Sequence, residues 1–289
     1  MFGVGCNHSG PEETEPTPPP TVDRTVDGDL LARVEALHDD LPREGSNGFE
    51  PPSTTDLQRW RSLVDTLVAG DTSATRAMIS EHFPSYALVR FTDTTTSQTV
   101  FVLQEAPSVE NGWGTVVVNP SPERNLAVHV PHPAYDLNTY QEGAALFRQT
   151  GARVLLMAGT HRCANQAASP CSGTTGVCGA TQAYRQSDMA HVQKAPFQIT
   201  HEAIVDRYPE LTALSLHGNG QETCETVFLT SGVEDDTPDV VRTLRQELLE
   251  RGVRTGVPGT SSCPLIGSTN VQGRYTNGAE SPCTTAASS

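Results

Sequence analysis

Apolar residues recur every three or four positions in the first patterned part of the chain. Residues 28–41 (GDLLARVEALHDDL) and 54–70 (TTDLQRWRSLVDTLVAG) show this spacing, and residues 72–83 (TSATRAMISEHF) add a shorter stretch. A period near 3.6 residues places such side chains on one face of a helix. The pattern therefore predicts two helices and a shorter third one before residue 84.

The pattern changes after residue 84, where short β-type apolar runs replace the helical spacing. Residues 85–91 and 98–106 flank the polar turn TDTTTS, which predicts a hairpin. Further predicted strands cover 114–120, 125–130, 152–159, 211–218 and 225–232, and further predicted helices cover 139–151, 200–208 and 237–252. Because strands and helices alternate, we expect an α/β fold with a mostly parallel or mixed sheet flanked by helices.

Composition divides the chain into three segments. Residues 1–27 include a Pro/Glu/Thr-rich stretch that is too polar to form a core, so we expect a disordered leader or tether there. Residues 28–84 form the expected helical N-terminal extension, and residues 85–289 form the α/β domain that would carry catalysis. Within it, residues 163–195 are a long irregular insertion with three cysteines, and loops of that length usually carry function or disulfides.

The charged residues of the chain exclude some classes of function. The net charge is −15, and residues 1–50 hold eleven acidic residues against three arginines. Surfaces that bind nucleic acid are basic because they meet phosphates, so we expect no nucleic-acid partner. Lys194 is the only lysine, which excludes a P-loop or Schiff-base lysine elsewhere. No apolar run approaches the roughly 20 residues that cross a bilayer.

Seven cysteines indicate an oxidising compartment and leave one residue over. Cys6 follows the small and apolar stretch MFGVG and precedes the polar leader, as the lipidated cysteine of a bacterial lipoprotein does. The lipobox match is imperfect because Gly3 stands where leucine is usual, and a free thiol is the alternative. The other six cysteines suffice for three disulfides, and Cys171 with Cys178 could close a small loop. We therefore expect an extracytoplasmic protein whose only membrane attachment would be a lipid anchor.

Three predicted strands have a histidine at or just beyond their carboxyl ends, namely His132, His161 and His217. Ligands of open α/β sheets bind beyond the carboxyl ends of the strands, so these side chains are expected at one edge. His132 and His217 are the best candidates for metal ligands. Asp136 lies four residues after His132, and across a tight turn its carboxylate can reach the same ion. Histidine and carboxylate ligands favour Zn²⁺, because a catalytic zinc takes about three of them and lowers the pKa of a bound water to about 7.

Other residues near these strand ends have two interpretations each. Glu142 fits a capping box with Thr139, yet it is also a candidate third ligand or general base. His201 opens a predicted helix and is a candidate for proton transfer or an exposed polar residue. Arg162 either binds a substrate anion or forms a salt bridge within its loop. Arg274 lies in a loop of low apolar content and is our candidate for bidentate capture of a carboxylate.

Two further histidines, His191 and His129, are expected to have structural roles. Asp188 and His191 are close in sequence and could form a pair that orients a ligand or catalytic histidine, although a lone D-x-x-H motif is weak. His129 alternates with the apolar residues of its strand, which favours a packed core histidine.

Two segments resemble the N-formylglutamate amidohydrolase family. HPAYDLNTYQEGAALFRQTGARVLLMAGTHR is similar to a segment in which a histidine and an aspartate four residues on precede a helix, a strand and an arginine-bearing turn. THEAIVDRYPELTALSLHGNG is similar to a histidine-led helix that runs into a strand ending in His-Gly or His-Ser. The resemblance covers about residues 115–235. Those enzymes are similar in fold to zinc carboxypeptidases, with a mixed sheet between helices, and hydrolyse amide bonds near a carboxylate.

The resemblance implies zinc at His132 and His217 with Asp136 or Glu142, and a substrate-facing role for Arg162 and His201. The family contains cytosolic catabolic enzymes. The helical extension (28–84), the cysteine-bearing insertion (163–195) and the expected oxidising compartment do not fit such an enzyme. The identity of the substrate therefore does not follow from the resemblance.

The leading hypothesis is a secreted or membrane-tethered zinc-dependent hydrolase that cleaves an amide bond near a substrate carboxylate. Peptides, γ-glutamyl polymers or cell-wall-derived amides suit that compartment. The first alternative is a non-catalytic envelope lipoprotein that binds a ligand or partner. The second is a metal-dependent phosphoesterase with two ions about 3.5–4 Å apart, which the few aspartates at the strand ends disfavour. The chain has no G-x-S-x-G motif for a serine nucleophile.

Overall fold

The structure is a computed structural model that describes residues 24–106, 108, 111–233 and 236–285. Its strands are β1 (Arg24–Gly28), β2 (Tyr86–Asp93), β3 (Thr99–Glu105), β4 (Thr115–Val118), β5 (Arg124–Val130), β6 (Ala152–Met157), β7 (Thr174–Thr175), β8 (Gln182–Ala183), β9 (Thr212–Ser215), β10 (Val227–Phe228) and β11 (Thr255–Gly256). Its α-helices are α1 (Leu30–Asp39), α2 (Thr54–Val68), α3 (Thr72–His82), α4 (Thr139–Thr150), α5 (Pro196–Arg207), α6 (Asp239–Glu250) and α7 (Val271–Thr276).

A mixed sheet of seven strands forms the centre, in the order β1-β2-β3-β4-β6-β5-β9. The predicted hairpin is confirmed as the antiparallel pair β2–β3, and β4 is antiparallel to both of its neighbours. Strand β5 is parallel to β6 and to β9. The expected α/β fold with a mixed sheet and flanking helices is therefore confirmed, and the carboxyl ends of β5, β6 and β9 share one edge.

Two strands differ from the sequence prediction. Residues 24–27 were expected in the leader and Gly28 in the helical extension, but Arg24–Gly28 forms β1. It pairs in parallel with β2, where Val26 lies opposite Phe91. Residues 225–232 were expected to extend the main sheet, but only Val227–Phe228 is a strand, and it pairs with β11 in a separate two-stranded sheet. Its side chains are only half-buried, so it lacks the continuous burial of a central strand.

The helices of residues 28–84 pack on both faces of the sheet. Leu30 and Val34 of α1 join the core that α4 covers, whereas α2 and α3 join the core that α5 covers. Trp60 of α2 is 1% exposed, packs edge-to-face against Tyr86 at 5.0 Å, and donates its Nε1–H to Thr200 Oγ1 of α5 at 2.9 Å. The helical segment therefore shares its core with the sheet.

A close approach of two glycines brings the loop after β6 to the sheet edge. A Cβ on Gly159 would lie 2.2 Å from the backbone nitrogen of Gly114, which itself has a φ of +104°. A side chain at either position would force the two backbones apart. This contact fixes the course of the following residues Thr160, His161 and Arg162.

Three disulfides join the six cysteines of the described residues: Cys163–Cys178, Cys171–Cys283 and Cys224–Cys263. Three bridges are as expected, but the suggested Cys171–Cys178 loop is wrong, because Cys171 pairs with a residue 112 positions away. Pairing depends on which Cα atoms approach within about 4.4–6.8 Å in the fold, which sequence proximity does not determine. The disulfides indicate an oxidising environment.

Cys6, the candidate lipidation site, lies outside the described residues. Within the described part of the chain, no helix combines the length and apolar character needed to cross a membrane.

Candidate metal centre

The carboxyl ends of β5 and β9 bring His132 and His217 together. The two strands are parallel, with His129 opposite Ser215, so the residues that follow them emerge side by side. The rings of His132 and His217 meet edge-on with centroids 5.1 Å apart. The sequence expectation that these histidines converge is thus met in the structure.

Asp136 reaches the same point through a tight turn. Its backbone N–H donates to the carbonyl of His132 at 2.9 Å, a single helical turn that returns the side chain to the strand end. Asp136 Oδ2 then lies 3.2 Å from His132 Nδ1 and 3.5 Å from His217 Nδ1. Gly218 leaves room for this carboxyl group, because a Cβ there would approach the Asp136 side chain to 3.1 Å.

The group of His132, Asp136 and His217 could hold a metal ion. Ligand atoms about 2.0–2.2 Å from a tetrahedral ion are separated by roughly 3.3–3.6 Å. The distance of 3.5 Å lies in this range and that of 3.2 Å lies just below it, so both are close to what a shared ion would give. His132 and Asp136 are buried, with 1% and 7% exposure, whereas the side chain of His217 is 38% exposed. Two members of the group are therefore buried, and the third is open to solvent.

Asp188 fixes the orientation of the His132 ring from the side opposite Asp136. His132 Nε2 lies 2.8 Å from Asp188 Oδ1, and Asp188 is 1% exposed. In the tautomer whose Nε2–H donates to Asp188, the Nδ1 lone pair would be available to an ion shared with Asp136 and His217. A carboxylate behind a ligand histidine is a common arrangement in metal centres. The expected role of Asp188 in orienting a ligand histidine is therefore supported by geometry.

Arg162 satisfies the other oxygen of Asp188. Its Nη2 and Nε donate to Asp188 Oδ2 at 2.6 and 3.2 Å, and its guanidinium lies over the ring of Tyr135 at 5.3 Å. A buried carboxylate is costly unless it is paired, and this contact supplies the pairing. Of its two interpretations, substrate anchor and loop salt bridge, the structure shows the salt bridge.

The two buried carboxyl groups remain ionised. Burial alone would raise the pKa of Asp136, but hydrogen bonds and charge from His132 and His217 outweigh it and lower the pKa. Burial also opposes ionisation of Asp188, yet His132 and His191 hold the pKa of this carboxyl well below its usual range. Ionised carboxylates are the form that binds a metal ion or accepts a hydrogen bond from a ligand histidine.

A second potential group shares one member with the first: His132, Asp188 and His191. His191 Nδ1 lies 3.0 Å from Asp188 Oδ1, and its ring stacks on Tyr184 at 3.7 Å. The positive guanidinium of Arg162 already contacts Asp188, and a second cation at that carboxylate would be repelled. A metal ion would therefore fit the first group better than the second, and Asp188 and His191 would support it from behind His132.

Glu142 does not join this group. It is exposed on α4, and among the described residues no hydrogen bond or ion pair connects it to His132, Asp136 or His217. The capping box with Thr139 is also absent from the described contacts, because helix α4 begins after Asn138 and the Thr139 hydroxyl donates to the Asp136 carbonyl at 2.8 Å. The structure therefore assigns Glu142 neither of the roles considered.

His201 and Arg274 belong to the packing of the C-terminal segment. His201 is 1% exposed, its Nε2 pairs with the Thr276 hydroxyl at 3.0 Å, and its ring packs edge-on against His129 at 5.1 Å. Burial lowers the pKa of His201 to about 4. Arg274 is also buried, and its guanidinium donates to backbone carbonyls of Ser268 and Pro282. The contacts of both side chains fix α7 to the body of the protein.

His129 has the packed environment that the strand pattern indicates. It is 1% exposed and lies edge-on to Phe197 and His201. Burial places its pKa well below the usual range of histidine, so this residue is neutral and structural.

The sequence did not predict the contacts between the insertion (163–195) and the C-terminal segment that contains Thr269. The Tyr184 hydroxyl donates to Thr269 Oγ1 at 3.1 Å, and His191 Nε2 lies 3.2 Å from the same oxygen. These contacts connect residues about 80 positions apart, and no local spacing signals them. The two segments are also joined by the Cys171–Cys283 disulfide.

No protein-family model, no curated protein and no solved structure matches this chain.

Proposed function

We propose that the protein is a zinc-dependent hydrolase that cleaves an amide bond near a substrate carboxylate. The observation that carries the proposal is the arrangement of His132, Asp136 and His217, with ligand atoms spaced for one ion and one side open to solvent. Catalytic zinc sites combine about three protein ligands with an open position, whereas structural sites are closed.

Two imidazoles and one carboxylate suit zinc better than the hard ions. Mg²⁺ and Ca²⁺ take six or more oxygen ligands, and this group offers one carboxylate. When bound here, zinc would polarise a carbonyl group and lower the pKa of a water molecule to about 7.

The residues of the chain have distinct parts in this proposal. Asp188 accepts the Nε2 hydrogen of His132 and fixes its ring, and Arg162 neutralises Asp188. His217 Nε2 lies 3.2 Å from Ser215 Oγ, which can accept its hydrogen and leave Nδ1 free for the ion. Because His217 is the exposed member, the substrate would approach from its side.

The exposed residues beside the opening complete the candidate binding surface. Tyr135 and Leu137 are 43% and 87% exposed and lie in the turn that carries Asp136. Apolar side chains exposed at the rim of a site favour contact with an uncharged part of a substrate. The amide class itself is supported by the resemblance to the N-formylglutamate amidohydrolase family. An extracytoplasmic location, with Cys6 as a lipid anchor, remains part of the proposal.

The test is hydrolysis by zinc-loaded protein of amides that carry a carboxylate, measured as release of free amine. The panel contains peptides, γ-glutamyl oligomers and peptidoglycan-derived peptides. We expect activity on at least one class, its loss with a chelator, its return with zinc, and its loss in Asp136→Asn. Asp27→Asn, an exposed aspartate on β1, is the matched control and should keep full activity.

The alternatives give different results in the same preparation. A phosphoesterase would bind about two metal equivalents and release phosphate from phosphoesters. A non-catalytic envelope protein would hydrolyse neither class and would tolerate Asp136→Asn without loss of ligand binding. Either outcome would overturn the amide hydrolase proposal.

A further inference from the structure

A cavity of about 370 Å³ lies between α1 and the β2–β3 end of the sheet, apart from the metal centre. Its wall includes Leu37 and Leu41 of the α1 side and Val89 of β2. None of His132, Asp136 and His217 lines it. A cavity of this size is at the small end of those that hold organic ligands.

Two arginines, Arg24 and Arg33, line this cavity. Arg24 is at the start of β1, and Arg33 is on α1. Burial and then the charge of Arg24 lower the pKa of Arg33, while Asp40 opposes them. Within the described residues, neither arginine forms an ion pair, and Asp40 and Glu105 are the acidic residues that line the same cavity.

Hydrogen-bond donors in this wall are incompletely used. Arg33 Nη2 donates to Gln104 Oε1, whereas Arg33 Nε is buried and has no partner among the described residues. Since Gln104 uses its oxygen for this contact, its amide N–H groups remain as donors, and no described residue accepts from them. A buried donor without a partner is unfavourable, and a bound acceptor removes that cost.

The buried acid of the wall does not satisfy these donors. Glu105 also lines the cavity, but its carboxylate accepts backbone N–H groups of Asn111 and Gly112 at 2.9 and 3.0 Å. The backbone N–H groups of Asn111 and Gly112 therefore occupy the Glu105 carboxylate, and within the described residues the Arg33 Nε–H stays available to a ligand.

We propose that this cavity binds a small organic anion, with its carboxylate between Arg33, Arg24 and the Gln104 amide and its aliphatic part against Leu37, Leu41 and Val89. A guanidinium suits a carboxylate because its N–H groups can form two parallel hydrogen bonds. The apolar wall accounts for an organic ligand rather than an inorganic ion. This site is independent of the metal centre and of the proposed hydrolysis.

The test is calorimetric titration of the full chain with hexanoate at moderate ionic strength. We expect saturable binding of about one hexanoate per chain and no binding of hexanol, which has the same apolar body without the charge. Arg33→Gln should weaken hexanoate binding by about tenfold or more, since a charged hydrogen bond contributes about 1.5–3 kcal/mol. Arg59→Gln, an exposed arginine of α2, is the matched control and should bind as wild type.

Arg24→Gln provides a second variant at an exposed position, in case Arg33→Gln fails to fold. It should also weaken hexanoate binding, and zinc content should be unchanged in both variants. Absence of saturable binding to the wild type, equal binding of hexanol, or equal affinity in Arg24→Gln would overturn the proposal. Since the readout is hexanoate affinity, it is unaffected by whether the protein hydrolyses amides.

Discussion

Asp188 is the residue whose effect on the metal centre can be separated from direct coordination. It contacts His132 at 2.8 Å and Arg162 at 2.6 Å without belonging to the assigned ligand group. Loss of a carboxylate behind a ligand histidine typically weakens metal affinity by about 10–100-fold. We expect Asp188→Asn to show a loss of this size in competition titrations with a zinc chelator.

A control separates this effect from general destabilisation. Asp93 is another buried aspartate, at the far end of β2, where it accepts the Leu30 N–H at 3.1 Å and the Thr96 hydroxyl at 2.8 Å. Asp93→Asn should lower the stability of the fold while leaving zinc affinity unchanged. Equal zinc affinity in Asp188→Asn and the wild type would contradict the role assigned to Asp188.

His201 makes stability depend on pH in a predictable direction. Its pKa is about 4 in the folded protein and about 6.5 in an unfolded chain. The unfolded state therefore binds more protons between these values, and the free energy of unfolding falls as pH falls from about 6.5 to 4. The full contribution is roughly 3 kcal/mol, at about 1.4 kcal/mol for each pH unit.

We expect His201→Gln to remove this part of the pH dependence while keeping a partner for Thr276. Denaturant unfolding of the metal-free protein at pH 7 and at pH 4.5 measures it. The fall in stability between the two pH values should be smaller in the variant. An identical fall in both proteins would show that His201 is accessible to protons in the folded state.

Residue-level prediction from the sequence was accurate where the strand ends alone determine position. His132, Asp136 and His217 converge because β5 and β9 are parallel and adjacent, and an apolar run followed by histidine signals that placement. Arg162 was a candidate for a substrate anion or a salt bridge, and Arg274 for capture of a carboxylate. In the structure Arg162 contacts Asp188, and Arg274 donates to nearby backbone carbonyls. The hydrogen-bond partner of a buried guanidinium depends on which acceptor the fold places beside it, and the spacing of residues in the sequence does not identify that acceptor.

At the scale of elements, the helical spacing of residues 54–70 correctly predicted α2, and the alternation of strands and helices correctly predicted the α/β class. Strand β1 was missed because RTVDG has a single apolar residue, Val26, and its position depends on pairing with β2. The strand predicted at 225–232 was too long. β propensity indicates that side chains suit a half-buried pleated surface, but it does not show which neighbouring strand the segment pairs with.

Helix α2 should be essential for the stability of the whole sheet. Trp60 is buried against Tyr86, Phe83 and Trp113, and truncation of a buried tryptophan costs about 3–5 kcal/mol. We expect Trp60→Ala to lower the free energy of unfolding by this amount in a single cooperative transition, followed by circular dichroism. Leu137→Ala, at 87% exposure, should change it by less than about 0.5 kcal/mol.

A result with two transitions would contradict the shared core. If residues 28–84 formed an independent unit, Trp60→Ala would melt the helices first and leave the sheet signal unchanged. The packing of α2 on α5, and the Trp60–Thr200 hydrogen bond between them, predicts loss of both together.

At the scale of the whole molecule, the Cys171–Cys283 disulfide joins the insertion to the end of the described chain. It closes a loop with a sequence separation of 112, against 15 for Cys163–Cys178. Chain-entropy estimates give about 4–5 kcal/mol for the long loop and about 3 kcal/mol for the short one. Pairings of this length were beyond sequence prediction, because six cysteines allow fifteen connectivities.

We expect replacement of Cys171 and Cys283 by serine to reduce the free energy of unfolding by about 2–5 kcal/mol. It should also weaken zinc binding, because Thr269 and His191 meet across the two segments that this disulfide joins. The same double replacement at Cys224 and Cys263 is the control, and it should leave zinc affinity unchanged. Unfolding by denaturant and chelator competition measure the two effects, and equal zinc affinities would exclude this coupling.

The central claim is that three residues from two strand ends bind one ion, and metal analysis of purified protein tests it most directly. Protein prepared without chelator, loaded with zinc and dialysed should contain about one zinc per chain. His132→Ala and His217→Ala should contain almost none, whereas His82→Ala, a histidine of α3, should match the wild type. Wild-type protein without bound zinc, or full zinc content in the His132 and His217 variants, would contradict the account.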